Sequence, residues 1–306
     1  MGAESVTAVV PHFGAPETPL PLLEALLSQL PQDGSSTLQV VVVDDASPEP
    51  FPGLDGVEVI RRKANGGFGA AVNTGAEVAD GDLLLVLNSD LEIGPTFVAD
   101  LVAGARPWQP AVVSPRVVGP DGAELPTGRR FPRVRHQVTE WLVPLARWRD
   151  TDALHRAVGH DVDARNTEAV VDWVVGAAVL VPVADFRAVG GFDERFFMNS
   201  EEVDLQRRLR ERGLPSVVLS APTAVHAGGG SSESARRREW LVQSRLAYAD
   251  KWGGRRRLQA ALGAATAANL AWNTGRRIAR RDVRPLRTVA QEAALLRRGA
   301  NPGDRR

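Results

Sequence analysis

Residues 83–90 read LLLVLNSD, and this stretch decides the fold. Five consecutive apolar residues are too short a run for a buried helix, but they suit a strand that is buried on both faces. Asn88, Ser89 and Asp90 are residue types that favour turns, so they end the strand. Strands buried on both faces are typical of parallel sheets with helices packed on each side. The stretch therefore predicts an α/β protein.

The same alternation continues on both sides of residues 83–90. Short apolar runs predict strands, and apolar residues at helical spacing predict helices. In chain order they are a strand at 6–10, a helix at 19–30, strands at 38–43 and 57–60, a helix at 69–79, the strand at 83–87, a helix at 96–106 and a strand at 111–114. This order predicts a mostly parallel sheet flanked by helices.

The pattern is less regular after residue 118. The expectation is a long loop with one or two short helices at 119–168, a strand at 170–181, a helix at 203–212 ended by Gly213, and a strand at 216–219. Residues 234–300 have helical patterning throughout. The sequence therefore adds a C-terminal helical extension to the α/β fold.

Composition restricts the chemistry and the partners. The chain of 306 residues contains no cysteine, which excludes disulfides, a cysteine nucleophile and thiolate metal sites. Its net charge of zero hides an asymmetry. Residues 236–306 hold 18 Lys and Arg against 5 Asp and Glu, while residues 1–235 hold 19 against 32. A basic extension indicates an anionic partner such as membrane headgroups, a phosphorylated lipid or nucleic acid.

The sequence also carries information on location. No apolar run reaches the length of a membrane span, and Met1 is not followed by a signal segment, so we expect a soluble, cytoplasmic protein. The basic extension lacks a nucleic-acid-binding motif, so nucleic acid is not expected as a partner. Three interpretations of the extension stay open: a peripheral contact at the inner face of the cell membrane, solvated helix faces, and apolar helices that pair in a homodimer.

Acidic side chains follow two of the predicted strands. Asp44 and Asp45 come directly after residues 40–43, and Asp90 follows residues 83–87. The carboxyl ends of parallel strands meet at one edge of a sheet, where ligands bind. Asp90 could hold Mg²⁺ or Mn²⁺, which prefer carboxylate oxygen, and the earlier pair could accept a base N–H or a ribose hydroxyl. Ordinary turn formation is the alternative for all three.

Two further segments are candidates for ligand contacts. Asn65, Gly66 and Gly67 precede a predicted helix, where backbone amides could approach a phosphate; a tightly packed helix entry is the alternative. His226 is followed by Ala227 and three glycines after the last predicted strand, and its neutral imidazole could bind a metal.

Residues 201–204 place three acids, Glu201, Glu202 and Asp204, where a helix should begin. One interpretation is a general base flanked by acids that orient it or the acceptor. The other is structural, because the helix dipole favours carboxylates at this end.

Together these motifs resemble family 2 glycosyltransferases of the GT-A fold, and among them the rhamnosyltransferase-like group. The matching stretches run in the family's order across residues 6–232: VVVVDDAS (40–47), NGGFGAAVNTG (65–75), LLLVLNSD (83–90), VVGAAVLVP (174–182), GGFDERFFMNSEEVDLQRRLRERG (190–213) and VHAGGGSS (225–232).

The resemblance implies an inverting transferase that uses a nucleotide-diphosphate sugar and Mg²⁺ or Mn²⁺. The favoured donor is dTDP-rhamnose, and the implied acceptor is a cell-envelope saccharide or a polyprenyl-diphosphate-linked molecule. The alternatives are UDP-galactofuranose, UDP-GlcNAc or UDP-glucose as donor, and a non-catalytic protein that only binds nucleotide sugars. The resemblance divides the chain into a nucleotide-sugar-binding half at 1–118, an acceptor-binding and catalytic half at 119–235, and the basic helical tail at 236–306.

The resemblance also assigns residues to roles. Asp90 matches the last acid of the metal-binding motif, in which Asn88 replaces the first acid, and His226 matches a histidine that completes the metal site in some relatives. Glu202 takes the position of the catalytic base, where relatives carry aspartate, so Glu201 and Asp204 stay candidates for that role. The implied donor-binding residues are Pro11, Asp44, Asp45, Asn65, Gly67, Asn73, Asn88 and Ser89.

Overall fold

The computed structural model describes residues 4–30, 38–227, 234–279 and 281–297. Contacts divide the chain into two compact units. The sheet unit comprises Met1–Arg130, Asp163–Phe197 and Glu201–Ser231, and the helical unit comprises the rest. The division into donor-binding, catalytic and tail regions stays a prediction, because contacts delimit compact units and not roles.

The strands of the sheet unit are short and mostly buried. They are β1 (Val6–His12), β2 (Leu38–Asp44), β3 (Glu58–Arg61), β4 (Leu83–Leu87), β5 (Leu91–Ile93), β6 (Val112–Val118), β7 (Gly128–Arg129), β8 (Ala169–Val171), β9 (Trp173–Val174), β10 (Ala178–Pro182) and β11 (Ser216–His226). Within the described residues, nine of them form one sheet in the order β3-β2-β1-β4-β10-β6-β11-β5, with β8 also paired to β11, and β7 pairs with β9.

Strand direction brings the predicted acids to one edge of this sheet. β1 runs parallel to both β2 and β4, with His12 opposite Asp44 and Val9 opposite Val86. The carboxyl ends of β2, β1 and β4 therefore lie side by side. Antiparallel pairs enter only where β10 joins β4 and β6, and where β5 and β8 join β11.

Helices cover both faces of the sheet. The α-helices of the described residues are α1 (Leu20–Leu27), α2 (Phe68–Glu77), α3 (Phe97–Ala105), α4 (Val134–Trp141), α5 (Asp152–Ala157), α6 (Val183–Ala188), α7 (Glu201–Glu211), α8 (Ser234–Lys251), α9 (Arg255–Ile278) and α10 (Pro285–Arg297). One core packs Leu22, Leu26 and Phe97 of α1 and α3 against the sheet. A second core, on the opposite face of the sheet, contains Val72 of α2 and Leu209 of α7. The predicted α/β class is thereby confirmed.

The helical unit has its own core. Leu246 of α8 and Leu258 and Leu262 of α9 are fully or almost fully buried around Trp141 of α4. The indole N–H of Trp141 donates a hydrogen bond of 2.9 Å to Thr266. In the part of the chain that is described, no helix is both long and apolar enough to cross a bilayer.

Several expectations for the second half of the chain are corrected. The predicted strand at 170–181 is three separate strands, because Asp172 leaves the ladder to hydrogen-bond Arg129 and the chain turns at 175–177. In the loop at 119–168 the expected short helices are present as α4 and α5, but the segment also contains β7 and two 3-10 turns. The late strand extends from Ser216 to His226, not to Leu219. The helical stretch is interrupted at Gly253 and Gly254, both with left-handed φ, and residues 298–300 lie outside the described residues.

Candidate active site

The two residues predicted to bind metal lie side by side, Asp90 in the turn after β4 and His226 at the end of β11. Oδ1 of Asp90 lies 3.1 Å from Nε2 of His226, which ends β11, and Nδ2 of Asn88 lies 3.4 Å from the same nitrogen. β5 pairs antiparallel with β11, with Leu91 opposite His226, so the sheet itself holds the two side chains together. The hydrogen bond to Asp90 raises the pKa of His226 above its usual value, although burial opposes this.

This pair fits a cation that completes its coordination with a diphosphate. Ligands of Mg²⁺ lie at about 2.1 Å in octahedral geometry, so two adjacent ligand atoms are about 3 Å apart, close to the Asp90–His226 distance. Both side chains are only partly buried, which leaves room for further ligands. Among the described residues, no group of three or more His, Asp or Glu side chains could hold a metal. A bound ion would therefore depend on oxygen atoms of the substrate or water.

Asp44, the last residue of β2, is fully buried and is held by the protein itself. One carboxylate oxygen accepts the Ser47 N–H at 2.7 Å, and the other accepts the Phe51 N–H at 3.1 Å and the Arg61 guanidinium. Burial raises the pKa of Asp44, but these bonds outweigh it and leave the pKa below its ordinary value. Beside it, burial against Phe51 lowers the pKa of His12. Asp44 would reach a ligand only by giving up these bonds.

Asp45 is buried and accepts hydrogen bonds from the glycine loop. The N–H groups of Gly66 and Gly67 donate to its carboxylate at 2.8–3.1 Å, and Nε of Arg62 lies 2.9 Å from Oδ1. Burial raises the pKa of Asp45, and the hydrogen bonds offset only part of this effect. The amides expected to meet a phosphate thus bind a carboxylate of the chain itself. Donor binding by Asp44, Asp45 and Gly67 stays a prediction.

Gly67 allows the glycine loop to pack against the segment before α7. Its φ is +87°, and a Cβ at this position would lie 1.9 Å from the Phe197 carbonyl oxygen. Two residues further on, a Cβ on Gly69 would lie 3.6 Å from the Cβ of Glu201. The beginning of α2, which carries the glycine loop, is therefore in close contact with the beginning of α7, which carries the acids.

Glu202 is linked to the metal pair through the segment before β10. A Cβ on Gly176 would lie 3.5 Å from Cβ of Glu202. The next residue, Ala177, accepts the Asn88 N–H at 2.8 Å. Glu202 and the turn that carries Asp90 therefore both lie next to the segment Gly176–Ala177.

The three acids of α7 have different surroundings. Glu202 is half-buried, Glu201 is almost fully buried, and Asp204 is fully buried. Asp204 makes an ion pair of 2.9 Å with Arg208, whose guanidinium also donates to the Val189 carbonyl at 2.7 Å. Asp204 is therefore held by an ion pair, Glu202 is the least buried of the three candidates, and the role of each acid stays a prediction.

The remaining predicted donor-binding residues are more dispersed. Asn73 bonds the N–H and C=O of Phe192 at 2.8 and 2.9 Å, so it stabilises the loop before α7. Oδ1 of Asn65 accepts the Gly67 N–H at 3.1 Å. Pro11 is buried in β1, opposite Val43 of β2. Ser89 is half-buried in the turn between Asn88 and Asp90.

Sequence reasoning missed the basic partners of the acids. β2 and β3 are parallel with Asp44 opposite Arg61, and the next pair along is Asp45 with Arg62. The signal was present, since two adjacent arginines end the strand that follows two adjacent aspartates. Gly176 was also missed, because no sequence pattern indicates that it contacts Glu202.

Superposition on solved structures identifies the fold. The crystal structure of GalNAc-T7 with UDP, GalNAc and Mn²⁺ superposes with a TM-score of 0.57 at 14% identity, covering 81% of this chain and 48% of that chain. The mannosyltransferase PcManGT from Pyrobaculum calidifontis, in complex with GDP-Man and Mn²⁺, gives 0.56 at 18% identity, covering 97% and 86%. The fold is therefore that of GT-A glycosyltransferases, as predicted.

Sequence comparison gives the family. Residues 7–152 match the model of Glycosyl transferase family 2. The N-acetylglucosaminyl-diphospho-decaprenol L-rhamnosyltransferase of Mycobacterium tuberculosis (strain H37Rv) is 29% identical over 242 residues, which are 72% of this chain and 76% of that protein. Rhamnosyltransferase WbbL of Escherichia coli (strain K12) is 33% identical over 84 residues, which are 27% and 32%. Residues 7–152 therefore carry the sequence pattern of glycosyltransferase family 2.

Proposed function

We propose that this glycosyltransferase moves L-rhamnose from dTDP-rhamnose to a cell-envelope acceptor, with inversion at the anomeric carbon. One observation carries the chemistry: the segment Gly176–Ala177 lies against Glu202 and also binds Asn88, which stands two residues before Asp90 in the turn at the carboxyl edge of the sheet. A base and a cation site in such proximity suit the attack of a hydroxyl on a sugar diphosphate.

Glu202 acts as the general base in this proposal. It lies in the first turn of α7, and its side chain is half-buried, whereas those of Glu201 and Asp204 are buried. The carboxylate takes the acceptor's hydroxyl proton while that oxygen forms its bond to the anomeric carbon. The bond from this carbon to the nucleoside diphosphate breaks at the same time. A single displacement of this kind inverts the anomeric configuration.

Asp90 and His226 would hold Mg²⁺ or Mn²⁺ in this proposal. When bound, the cation neutralises charge that develops on the departing diphosphate. Neutral His226 and ionised Asp90 supply a nitrogen and an oxygen ligand. Asn88 replaces the first acid of the family motif, so this chain supplies fewer charged ligands, and we expect metal binding to be weak without donor.

The sugar and the acceptor are proposed from the relatives. Both sequence relatives named above are rhamnosyltransferases by name, and one acts on a decaprenol-linked diphosphate. A polyprenyl-diphosphate-linked saccharide is therefore the acceptor class we propose. Work on such an acceptor would take place at the cytoplasmic face of the cell membrane.

A nucleotide-sugar panel tests the donor. Release of nucleoside diphosphate with Mn²⁺ or Mg²⁺ is measured for dTDP-rhamnose, UDP-galactofuranose, UDP-GlcNAc and UDP-glucose. We expect dTDP-rhamnose to be turned over fastest and to raise the melting temperature most. Faster turnover of another sugar would contradict the rhamnose assignment. No turnover of any donor, with thermal stabilisation alone, would point to a non-catalytic binding protein.

The metal site is tested separately. Asp90→Asn should raise the Mn²⁺ concentration needed for half-maximal turnover, because it removes the charged ligand. Glu92→Gln is the matched control, since Glu92 is exposed on β5 two residues away. An unchanged metal dependence in Asp90→Asn would remove Asp90 from this role.

A further inference from the structure

Two exposed tryptophans flank an arginine on the surface of the helical unit. The guanidinium carbon of Arg147 lies 3.9 Å from the ring centre of Trp148 and 5.7 Å from that of Trp272 on α9. Trp148 is 44% exposed and Trp272 is 38% exposed. Tryptophans that keep this much surface in water are not part of the core. A ring with an apolar body and a polar N–H suits a boundary between apolar and aqueous surroundings.

The end of α9 and the beginning of α10 in the same unit expose aliphatic side chains. Ile278 and Leu286 are each 78% exposed, more than any other large apolar residue in the described ranges. Ile278 ends α9 six residues after Trp272, which is about 9 Å along the helix axis and about 120° around it. The turn between α9 and α10 folds back on α9, because Nη1 of Arg277 donates to the Val283 carbonyl at 3.4 Å. We call Trp148, Trp272, Ile278 and Leu286 the apolar patch.

The same turn is densely basic. Among the described residues from 276 to 287 there are five arginines and one acidic residue, Asp282. Arg276 is half-buried, and the four exposed ones are Arg277, Arg281, Arg284 and Arg287. Exposed apolar side chains next to a cluster of one charge sign are the combination that binds anionic bilayers.

We propose that the apolar patch and these arginines dock on an anionic lipid bilayer. Arginines close to such a surface gain affinity from its negative potential, and the apolar side chains insert at the headgroup level. A second copy of the chain fits less well, because a symmetric pair would place the two arginine clusters opposite each other. The inference rests on the proposed function for its purpose, since a polyprenyl-linked acceptor does not leave the membrane.

Vesicle flotation tests this inference with the full chain and without donor, metal or acceptor. The probes are vesicles of phosphatidylcholine alone and of phosphatidylcholine mixed with phosphatidylglycerol. We expect the protein to float only with the mixed vesicles, and to be released at high salt because exposed charges are screened. Flotation of the double variant Ile278→Asp, Leu286→Asp and of the double variant Arg281→Gln, Arg284→Gln should fall about tenfold or more.

Matched controls carry the same changes on other exposed positions. They are Leu125→Asp with Val170→Asp, and Arg133→Gln with Arg212→Gln. Donor turnover in solution is measured for every variant and should stay at the wild-type level, which keeps the membrane inference separate from the proposed function. Equal flotation of patch variants and controls would overturn the inference, as would no flotation of the wild type or concentration-dependent dimerisation that the patch variants abolish.

Discussion

Asp44 and Asp45 are neighbours in sequence, yet their carboxylates have opposite titration behaviour. The hydrogen bonds of Asp44 outweigh its burial and lower its pKa, whereas burial dominates at Asp45 and raises its pKa. Asp44 fixes the loop from Ser47 to Phe51, and Asp45 fixes the glycine loop. The pair therefore shapes the two loops that border the proposed donor site, whether or not either residue contacts the donor.

The lowered pKa of Asp44 predicts a pH dependence of stability. A carboxyl group with a lower pKa in the folded state stabilises the protein above its unfolded pKa, near 3.8, and this contribution is lost as pH falls through the folded pKa. Asp44→Asn should be less stable than wild type by about 1–3 kcal/mol at pH 7, and the two should converge in acid. Urea unfolding between neutral and acid pH measures this. Asp55→Asn, an exposed control, should follow the wild type. Parallel curves for wild type and Asp44→Asn would contradict the account.

Gly67 is required by both its backbone and its surroundings. Gly67→Ala should destabilise the protein by about 2 kcal/mol or more, because φ is positive and the new Cβ would collide with the Phe197 carbonyl. Donor turnover should fall with it, since the contact positions the start of α7. Gly53→Ala is the control, because nothing lies within 4 Å of its Cβ position. Equal melting temperatures for the two variants would show that the loop adapts.

At the scale of elements, the sequence predicts what local patterns determine. The apolar run at 83–87 predicts β4 with its observed bounds, because both ends carry residues that stop a strand. β5 is not predictable in this way: it has three residues, of which only Leu91 is buried, and it exists through pairing with β11. The division of residues 170–181 likewise depends on Arg129, which is distant in sequence.

The candidate site shows the same division. Asp90 and His226 are recognisable in sequence because each follows an apolar strand, and the structure brings them together. The sequence cannot indicate that the Asp204 carboxylate forms a buried ion pair with Arg208, because acids at the start of a helix show the same sequence pattern whether they are buried or exposed. It also cannot indicate that the amides of the glycine loop bind Asp45, because that contact requires the tertiary fold.

The helices of the C-terminal part depend on a buried polar residue. Asn269 of α9 is fully buried, accepts the Val143 N–H at 2.9 Å, and donates to the Trp141 carbonyl at 2.9 Å and to buried Glu292 at 3.3 Å. Asn269→Ala should destabilise the helical unit by about 2–4 kcal/mol, because these groups lose their partner. Hydrogen exchange of the α9 amides measures this. Thr274→Ala, on the exposed side of α9, should leave the exchange unchanged, and equal protection in both variants would refute the prediction.

At the scale of the whole molecule, the chain combines a sheet unit of the GT-A fold with a helical unit whose C-terminal helices are rich in arginine. The sheet unit carries the acids at one edge, and the helical unit carries the exposed tryptophans and arginines. Each feature has its own experiment, so the proposed catalytic mechanism and the proposed membrane docking can be tested independently of each other.

The most direct test of the central claim is the turnover of Glu202→Gln with the donor that the panel selects. We expect turnover to fall by about 100-fold or more, because a general base contributes at least this much, while thermal stabilisation by the donor is retained. Glu211→Gln, at the exposed end of the same helix, should behave as wild type. Turnover of Glu202→Gln within a few-fold of wild type would contradict the assignment of the base and, with it, the proposed mechanism.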